Sequence, residues 1–422
     1  MMLRKKSRLV TVAVAAALLA GTAVAAVGGV TALPQLPDNH YTPNAETLQL
    51  GGTIAHTLLA PSMAQLDNLG DKITPEQRAK IASVTGPRGP EYIDDFFSAL
   101  KETWPRVSEN TEAILAHALA EKMSPAELRV GATFVQGPDG KYLLEIVQAR
   151  TTKKAQTLSP EAQAAMARLE STQVGRNFLA RATTYEAFLK PYTADLIATI
   201  APPILGRFCH KVLETNDKRL AADTSDSDPE FAKAHAAGAA LINHWYAKMT
   251  PEEWDKARHR LDDPMVKAQI AKIQRPEIPE GWMQAAVDAS YEWLREDQAK
   301  IADEFGRFMA RLYDAKEVEA FGRFIDGPYT DAVKKVAERA KAGQTMAANP
   351  KDPFAQAPEL KQAFVDFLAT PEGQSMKAKS MDFKRLVPAV VDEFVPLTAG
   401  LLVRFADKTE KMQAEKRLAR GW

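Results

Sequence analysis

Residues 123–147, MSPAELRVGATFVQGPDGKYLLEIV, read as one complete helix-turn-helix unit. Ser124 suits an N-cap, because its hydroxyl can accept from an orphaned N–H of the first turn. Pro125 suits the first helical position, where a missing N–H costs nothing. Glu127, three residues after the cap, can reach back to close a capping box. Leu128, Ala132 and Val135 follow helical spacing with Phe134 beside them. Gly137-Pro138 predicts the stop, Gly by tolerating positive φ and Pro by being unable to continue the helix. Tyr142, Leu143, Ile146 and Val147 supply the apolar face of a second helix.

The same grammar recurs along the chain. DAKEVEAFGRFIDGPYTDAVKKV places Asp314, Glu317, Phe324, Gly327 and Pro328 at the offsets of Ser124, Glu127, Phe134, Gly137 and Pro138. Ser159-Pro160, Thr74-Pro75 and Thr250-Pro251 open further units, and Ala357-Pro358 opens one with a poor cap. Thr74 pairs with Thr250, Ser124 with Asp314, and Ser159 with Ala357. Between the units Trp104 and Arg106 then lie opposite Trp293 and Arg295, and Arg207-Phe208 opposite Arg404-Phe405. The offsets run 176, 189, 190, 198 and 197 in chain order, a drift that small gaps absorb. No β-branched alternation lasts five residues beyond the N-terminal segment. These patterns predict an all-α chain of two tandem, internally duplicated helical domains, with eight or nine helices per copy. The unit spacing is too irregular for a strict solenoid.

The expected organisation is a signal peptide over residues 1–25, an extended N-terminus over 26–49 and a first helical copy over 50–215. A polar linker over 216–230, a second copy over 231–410 and a basic tail over 411–422 follow. The leader reading rests on Arg4, Lys5, Lys6 and Arg8 ahead of an Ala/Val/Leu run ending in Ala-Val-Ala at 23–25. Its length would also allow an uncleaved anchor. The whole chain has 54 basic and 54 acidic residues, so no global field points to nucleic acid. The remainder shows no uninterrupted apolar run long enough to span a bilayer. The expected location is therefore a bacterial periplasm or the medium.

The run AILAHALAEKMSPAELRVGATFVQGPDGKYLL, residues 113–144, resembles a module of exported bacterial proteins called domain of unknown function 2059. Glu127, Leu128, Phe134, Pro138 and Gly140 carry the resemblance, while Gly137 and Val135 depart from the usual Ser and second aromatic. Glu317, Phe324 and Pro328 carry it in the second half, with Thr330 in place of the Gly. The resemblance implies export and an all-α fold. It brings no catalytic residues.

Motifs for chemistry are sparse. The seven histidines form no His-Glu-x-x-His, and the single cysteine, Cys209, allows no internal disulfide or Cys-based zinc site. Cys209 and His210 are adjacent, which on a helix separates them by about 100° and prevents direct proton transfer. No phosphate loop or nucleophile elbow occurs. No cofactor is expected. The matched Trp104, Arg106, Trp293 and Arg295 are the candidate interface residues, because Trp and Arg are enriched among binding anchors. The expected role is a non-catalytic binding or interaction protein whose partner is a protein or envelope component. The rivals are a carrier of a hydrophobic molecule or lipid, which needs a cavity lined by Leu, Met and Phe, and an envelope hydrolase, which needs a polar cleft with perturbed carboxylates or histidines.

Overall fold

A computed structural model describes residues 40–67, 73–151, 158–259, 278–341 and 357–420. The expected leader, residues 1–25, lies outside them, as do the last two residues of the tail. Among the described residues every regular element is helical, so the fold is all-α.

In the first half these are α1 (Ala45–Asp67), α2 (Pro75–Thr85), α3 (Arg88–Lys122), α4 (Pro125–Gln136), α5 (Leu143–Thr151), α6 (Pro160–Glu170), α7 (Gln173–Ala182), α8 (Tyr185–Leu189) and α9 (Thr193–Ala222). The second half contains α10 (Pro229–Lys248), α11 (Pro251–Arg258), α12 (Trp282–Glu296), α13 (Gln298–Leu312), α14 (Ala315–Phe324) and α15 (Thr330–Lys341). It closes with α16 (Pro358–Ala369), α17 (Pro371–Met381), α18 (Phe383–Ala389) and α19 (Val395–Arg420).

The capping boxes form as their residue types require. Ser124 N donates to Glu127 Oε2 at 2.7 Å while Glu127 N donates to Ser124 Oγ at 3.3 Å. Asp314 and Glu317 repeat the pair at 2.8 and 3.0 Å. Both glutamates are buried, and each meets a cation from a later helix: Glu127 lies 3.5 Å from Arg181, and Glu317 lies 2.6 Å from Lys379. The cap thus ties α4 to α7 and α14 to α17, two pairs in direct contact.

Packing in the two halves runs in parallel. The pair α1 with α3 has a counterpart in α10 with α13, α1 with α4 in α10 with α14, and α3 with α9 in α12 with α19. Close crossings sit at matching places. A Cβ on Gly51 would lie 2.6 Å from Ala116 O, and one on Gly238 would lie 2.8 Å from Gly306 Cα. The turn before α7 repeats before α17. Thr172 Oγ1 accepts from Gly175 N at 3.0 Å, and Thr370 Oγ1 from Gly373 N at 3.1 Å. In both, a Cβ on the glycine would strike the carbonyl oxygen six residues back, at 1.8 Å from Leu169 O and 2.0 Å from Phe367 O.

The first half holds the larger core, with Ile54, Ile114, Leu119, Leu128, Ile146 and Phe178 fully buried. Each such side chain contributes roughly 1.5–3 kcal/mol by leaving water. The second half substitutes smaller clusters, one of them aromatic, with Phe324 stacked on Phe367 at a centroid distance of 4.6 Å. A separate seam of Cys209, Val212, Ala399 and Val403 joins α9 to α19, with Tyr92 of α3 against it.

Several expectations need correction. Gly137 has φ −83°, so it uses no left-handed conformation. The glycine that the turn requires is Gly140, where a Cβ would lie 2.1 Å from Val135 O. Gly327-Pro328 does not stop its helix. The chain passes through a π turn, Ile325–Tyr329, into α15, and Thr330 Oγ1 donates to Ile325 O at 2.6 Å. This accommodates the missing N–H of Pro328.

Residues 45–49 are helical rather than extended. The stretch read as a linker, 216–230, begins as the last two turns of α9, and its Asn216 is fully buried. Only 223–228 connects α9 to α10, and it carries a 3₁₀ turn, Ser225–Ser227. The stretch read as a tail continues α19, with Gln413 buried and its Nε2 donating to Thr199 Oγ1 at 3.3 Å.

By length and composition two segments could cross a membrane, Tyr185–Ser227 and Phe383–Ala419. The expectation of no such segment beyond the leader counted uninterrupted apolar residues, whereas these windows carry a few polar ones.

Candidate functional site

The long helices α9 and α19 converge with α13, and the polar stretch after Asn216 takes part in the packing. Arg219 grips Glu393 with both terminal nitrogens at 2.6 Å, and Arg311 Nε reaches the same carboxylate at 3.2 Å. Glu393 is fully buried and stands on a π turn, Val390–Phe394, whose extra residue re-aims its side chain. Asp223 receives Arg311 at 3.1 Å and Arg307 at 3.2 Å. Against the effect of burial, the Ser225 contacts and these guanidinium groups hold its carboxyl below the ordinary range. Arg307 also reaches Asp226 at 2.7 Å, while His235 bridges Asp226 at 2.9 Å and Asp303 at 3.1 Å. This network joins α9, α10 and α13 to the turn before α19. Its charges compensate one another, which is the condition for burying them.

Beside it, Glu304 is buried but poorly matched. Asn216 Nδ2 donates to its Oε1 at 3.3 Å, and Lys300 Nζ stands 3.9 Å from the same oxygen. Oε2 is buried with no hydrogen-bond partner in the protein. Burial pushes the carboxyl up to about 7, and Glu393 and Asp303 add to the shift against the opposing pull of Lys300. Glu304 forms part of the wall of a cleft of about 360 Å³ between α12, α13 and α19, closed on one side by Leu213 of α9. Trp293, Ile301 and Leu397 line its apolar side, and Asp297, Lys300 and Asp407 its polar side. Gly400 allows the close approach of Trp293, since a Cβ there would lie 3.2 Å from the indole Nε1.

The four residues singled out from the sequence separate. Trp293 reaches this cleft, whereas Trp104 is half-buried, its Nε1 enclosed without a partner. Arg106 is exposed and pairs with Glu410 at 2.9 Å, linking α3 to α19. Arg295 donates to Tyr291 Oη at 3.0 Å beside a smaller polar hollow of about 250 Å³. Arg207 and Arg404 do play like roles. Arg207 pairs with Glu102 of α3, and Arg404 pairs with Glu296 and Asp297 at the end of α12. Lys211 and Lys408, one turn further along, pair with Glu102 and Glu292 at 2.6 and 2.7 Å.

Cys209 is buried in the seam, and burial pushes its thiol up to about 12, the wrong direction for a nucleophile. Among the described residues no three His, Cys, Asp or Glu side chains gather as metal ligands would.

Sequence reasoning passed over Glu304. The signal available was its position on the amphipathic α13, between Ile301 and Phe308, where helical spacing calls for an apolar side chain. Residue pairing offers a second signal, because the spacing that relates Ser124 to Asp314 relates Glu304 to Ile114, a fully buried core residue.

Comparison of the chain with protein-family models, curated proteins and solved structures gives no match.

Proposed function

We propose that this chain is an exported, non-catalytic helical binding protein of a bacterial periplasm or cell envelope, built from two diverged copies of one domain. Export is supported by the basic start and the Ala-Val-Ala at 23–25, together with the resemblance to domain of unknown function 2059. Duplication is supported by the parallel helix pairings, the two glutamate caps and the two Thr-Gly turns. Under this reading the apolar windows of α9 and α19 are interior helices, since the two pack on each other and on α3 and α12.

The observation that carries the interaction reading is the exposure of Met381 and Phe383, 66% and 57%, on either side of Asp382. Large apolar side chains this open are common singly, but two in one turn, flanked by exposed Lys377 and Lys384, form a contact surface for a partner with apolar and acidic groups. The carrier reading has less support, because the cleft is lined by charged side chains as well as apolar ones. The hydrolase reading rests on the polar side of the same cleft, where Asp297 is already held by Arg404 at 3.1 Å.

The test begins with denaturing mass spectrometry of the protein exported by a bacterial host, where loss of residues 1–25 supports the leader. Native mass spectrometry of envelope extracts then looks for a stoichiometric complex. Its disappearance in a Met381→Ser/Phe383→Ser variant supports the interaction reading. A complex unaffected by those changes, or a bare monomer from wild type, overturns it.

A further inference from the structure

We infer that the cleft between α12, α13 and α19 is a binding site for a small organic ammonium: a protonated primary amine on a flat apolar body. The inference rests on the binding-protein reading above and names a ligand class for a different surface of the molecule from Met381 and Phe383.

Three observations converge. First, Glu304 is 1% exposed, lines the cleft, and has one carboxyl oxygen without a partner in the protein. A buried charge left partly unmatched is costly, so the site gains most from a group bringing a positive charge and a hydrogen-bond donor. Second, under the duplication reading the first half fills this place without a carboxylate. The residue at the corresponding place in the first half is Ile114, fully buried among aliphatic neighbours. The exchange of an aliphatic for an acid occurs where a cleft of about 360 Å³ opens, within the size range of small-molecule sites. Third, the rest of the lining suits an ammonium with an apolar body. Trp293, Ile301 and Leu397 offer an apolar wall for the body of the ligand. Asp407 adds negative charge, and the guanidinium of Arg404, which also lines the cleft, is already held by Glu296 and Asp297 at 2.7 and 3.1 Å.

Lys300 is the lining cation that stands beside Glu304 itself. It stands 3.9 Å from Glu304 Oε1, beyond hydrogen-bond distance, and 4.0 Å from Asp217. Its side chain is 44% exposed. It therefore swings out when a better-placed ammonium arrives, and competes with that ammonium until then.

Calorimetric titration of the full chain at neutral pH with benzylamine, benzyl alcohol and benzoate tests the assignment. Benzylamine binds with a dissociation constant below about 1 mM and at least about tenfold more tightly than benzyl alcohol, while benzoate does not bind. Glu304→Gln removes the preference for the amine. Lys300→Ala, at an exposed position that leaves folding intact, tightens benzylamine several-fold by removing the competing cation. Absence of benzylamine binding in both wild type and Lys300→Ala overturns the inference and leaves Oε2 to an ordered water. Equal affinity for benzyl alcohol, or affinity unchanged in a folded Glu304→Gln, overturns it as well. Loss of the envelope complex is read in a separate assay, so either reading can fail alone.

Discussion

The side-chain amide of Asn216 donates to Glu304 Oε1 at 3.3 Å, joining the end of α9 to the middle of α13 inside the protein. Asn216 Oδ1 in turn accepts from Arg219 at 2.9 Å, and Arg219 holds Glu393. One neutral amide thus stands between a compensated ion network and an under-compensated carboxyl. The stability predictions begin from this junction.

Glu304 makes stability fall as pH rises. Its folded-state value of about 7 lies above the ordinary 4.5, so between those limits the native state binds the extra proton. The cost is absent below about pH 4.5, grows from there to about pH 7, and is complete above it. The facing groups are Lys300, Asp303, Glu393 and Arg219, of which the acids strengthen the effect. Glu304→Gln therefore stabilises the protein at pH 8 relative to pH 5, by up to about 3 kcal/mol. Urea midpoints of wild type and variant at the two pH values measure this, and parallel pH dependences would refute it.

Arg219→Met leaves Glu393 buried with only Arg311 as a donor, and costs about 3–5 kcal/mol by denaturant unfolding. The double variant Arg219→Met/Glu393→Met recovers most of that loss, because no unpaired charge remains. A double variant as unstable as the single one would show that shape, rather than charge compensation, governs the site.

Gly175→Ala and Gly373→Ala each destabilise by at least about 1–3 kcal/mol, since the new methyl meets a backbone carbonyl in a turn that cannot shift freely. Gly52→Ala, in open space on α1, is neutral or stabilises by about 0.5–1 kcal/mol. Thermal melts of the three variants separate these outcomes.

Cys209 resists alkylation. The native protein at pH 8 takes up no iodoacetamide label over the time in which a urea-unfolded sample reacts fully, because the thiol is buried and its ionisation suppressed. Intact mass after quenching measures the uptake, and rapid labelling of the native protein would contradict the seam between α9 and α19.

The local elements were legible because their causes are local. Ser124, Thr74 and Asp314 cap helices with side-chain oxygens a few atoms from the N–H groups they serve, so the box can be read from four residues. Gly137 shows the edge of that method. The residue type announced a turn, but the close approach that demands glycine falls at Gly140, set by where Val135 O lies in space. Gly327-Pro328 repeats the lesson, since the same dipeptide stops one helix and is absorbed by a π turn in another.

The candidate site was far less legible. Trp293 stands out in the sequence by its pairing with Trp104, yet of the two it is Trp293 that lines the cleft. Asn216 falls in the stretch read as a linker and Glu304 in no motif, because polarity along a chain usually reports exposure. Here both are enclosed by α9, α13 and the π turn ahead of α19.

By itself the amino-acid sequence determined the all-α class and the positions of the principal caps, both set by spacing and by atoms within one or two turns. Only the tertiary structure decided which polar residues lose water and which of them find a partner. Desolvation depends on what the rest of the chain brings within a few ångströms, and for Glu304 those neighbours come from segments about ninety residues away on either side.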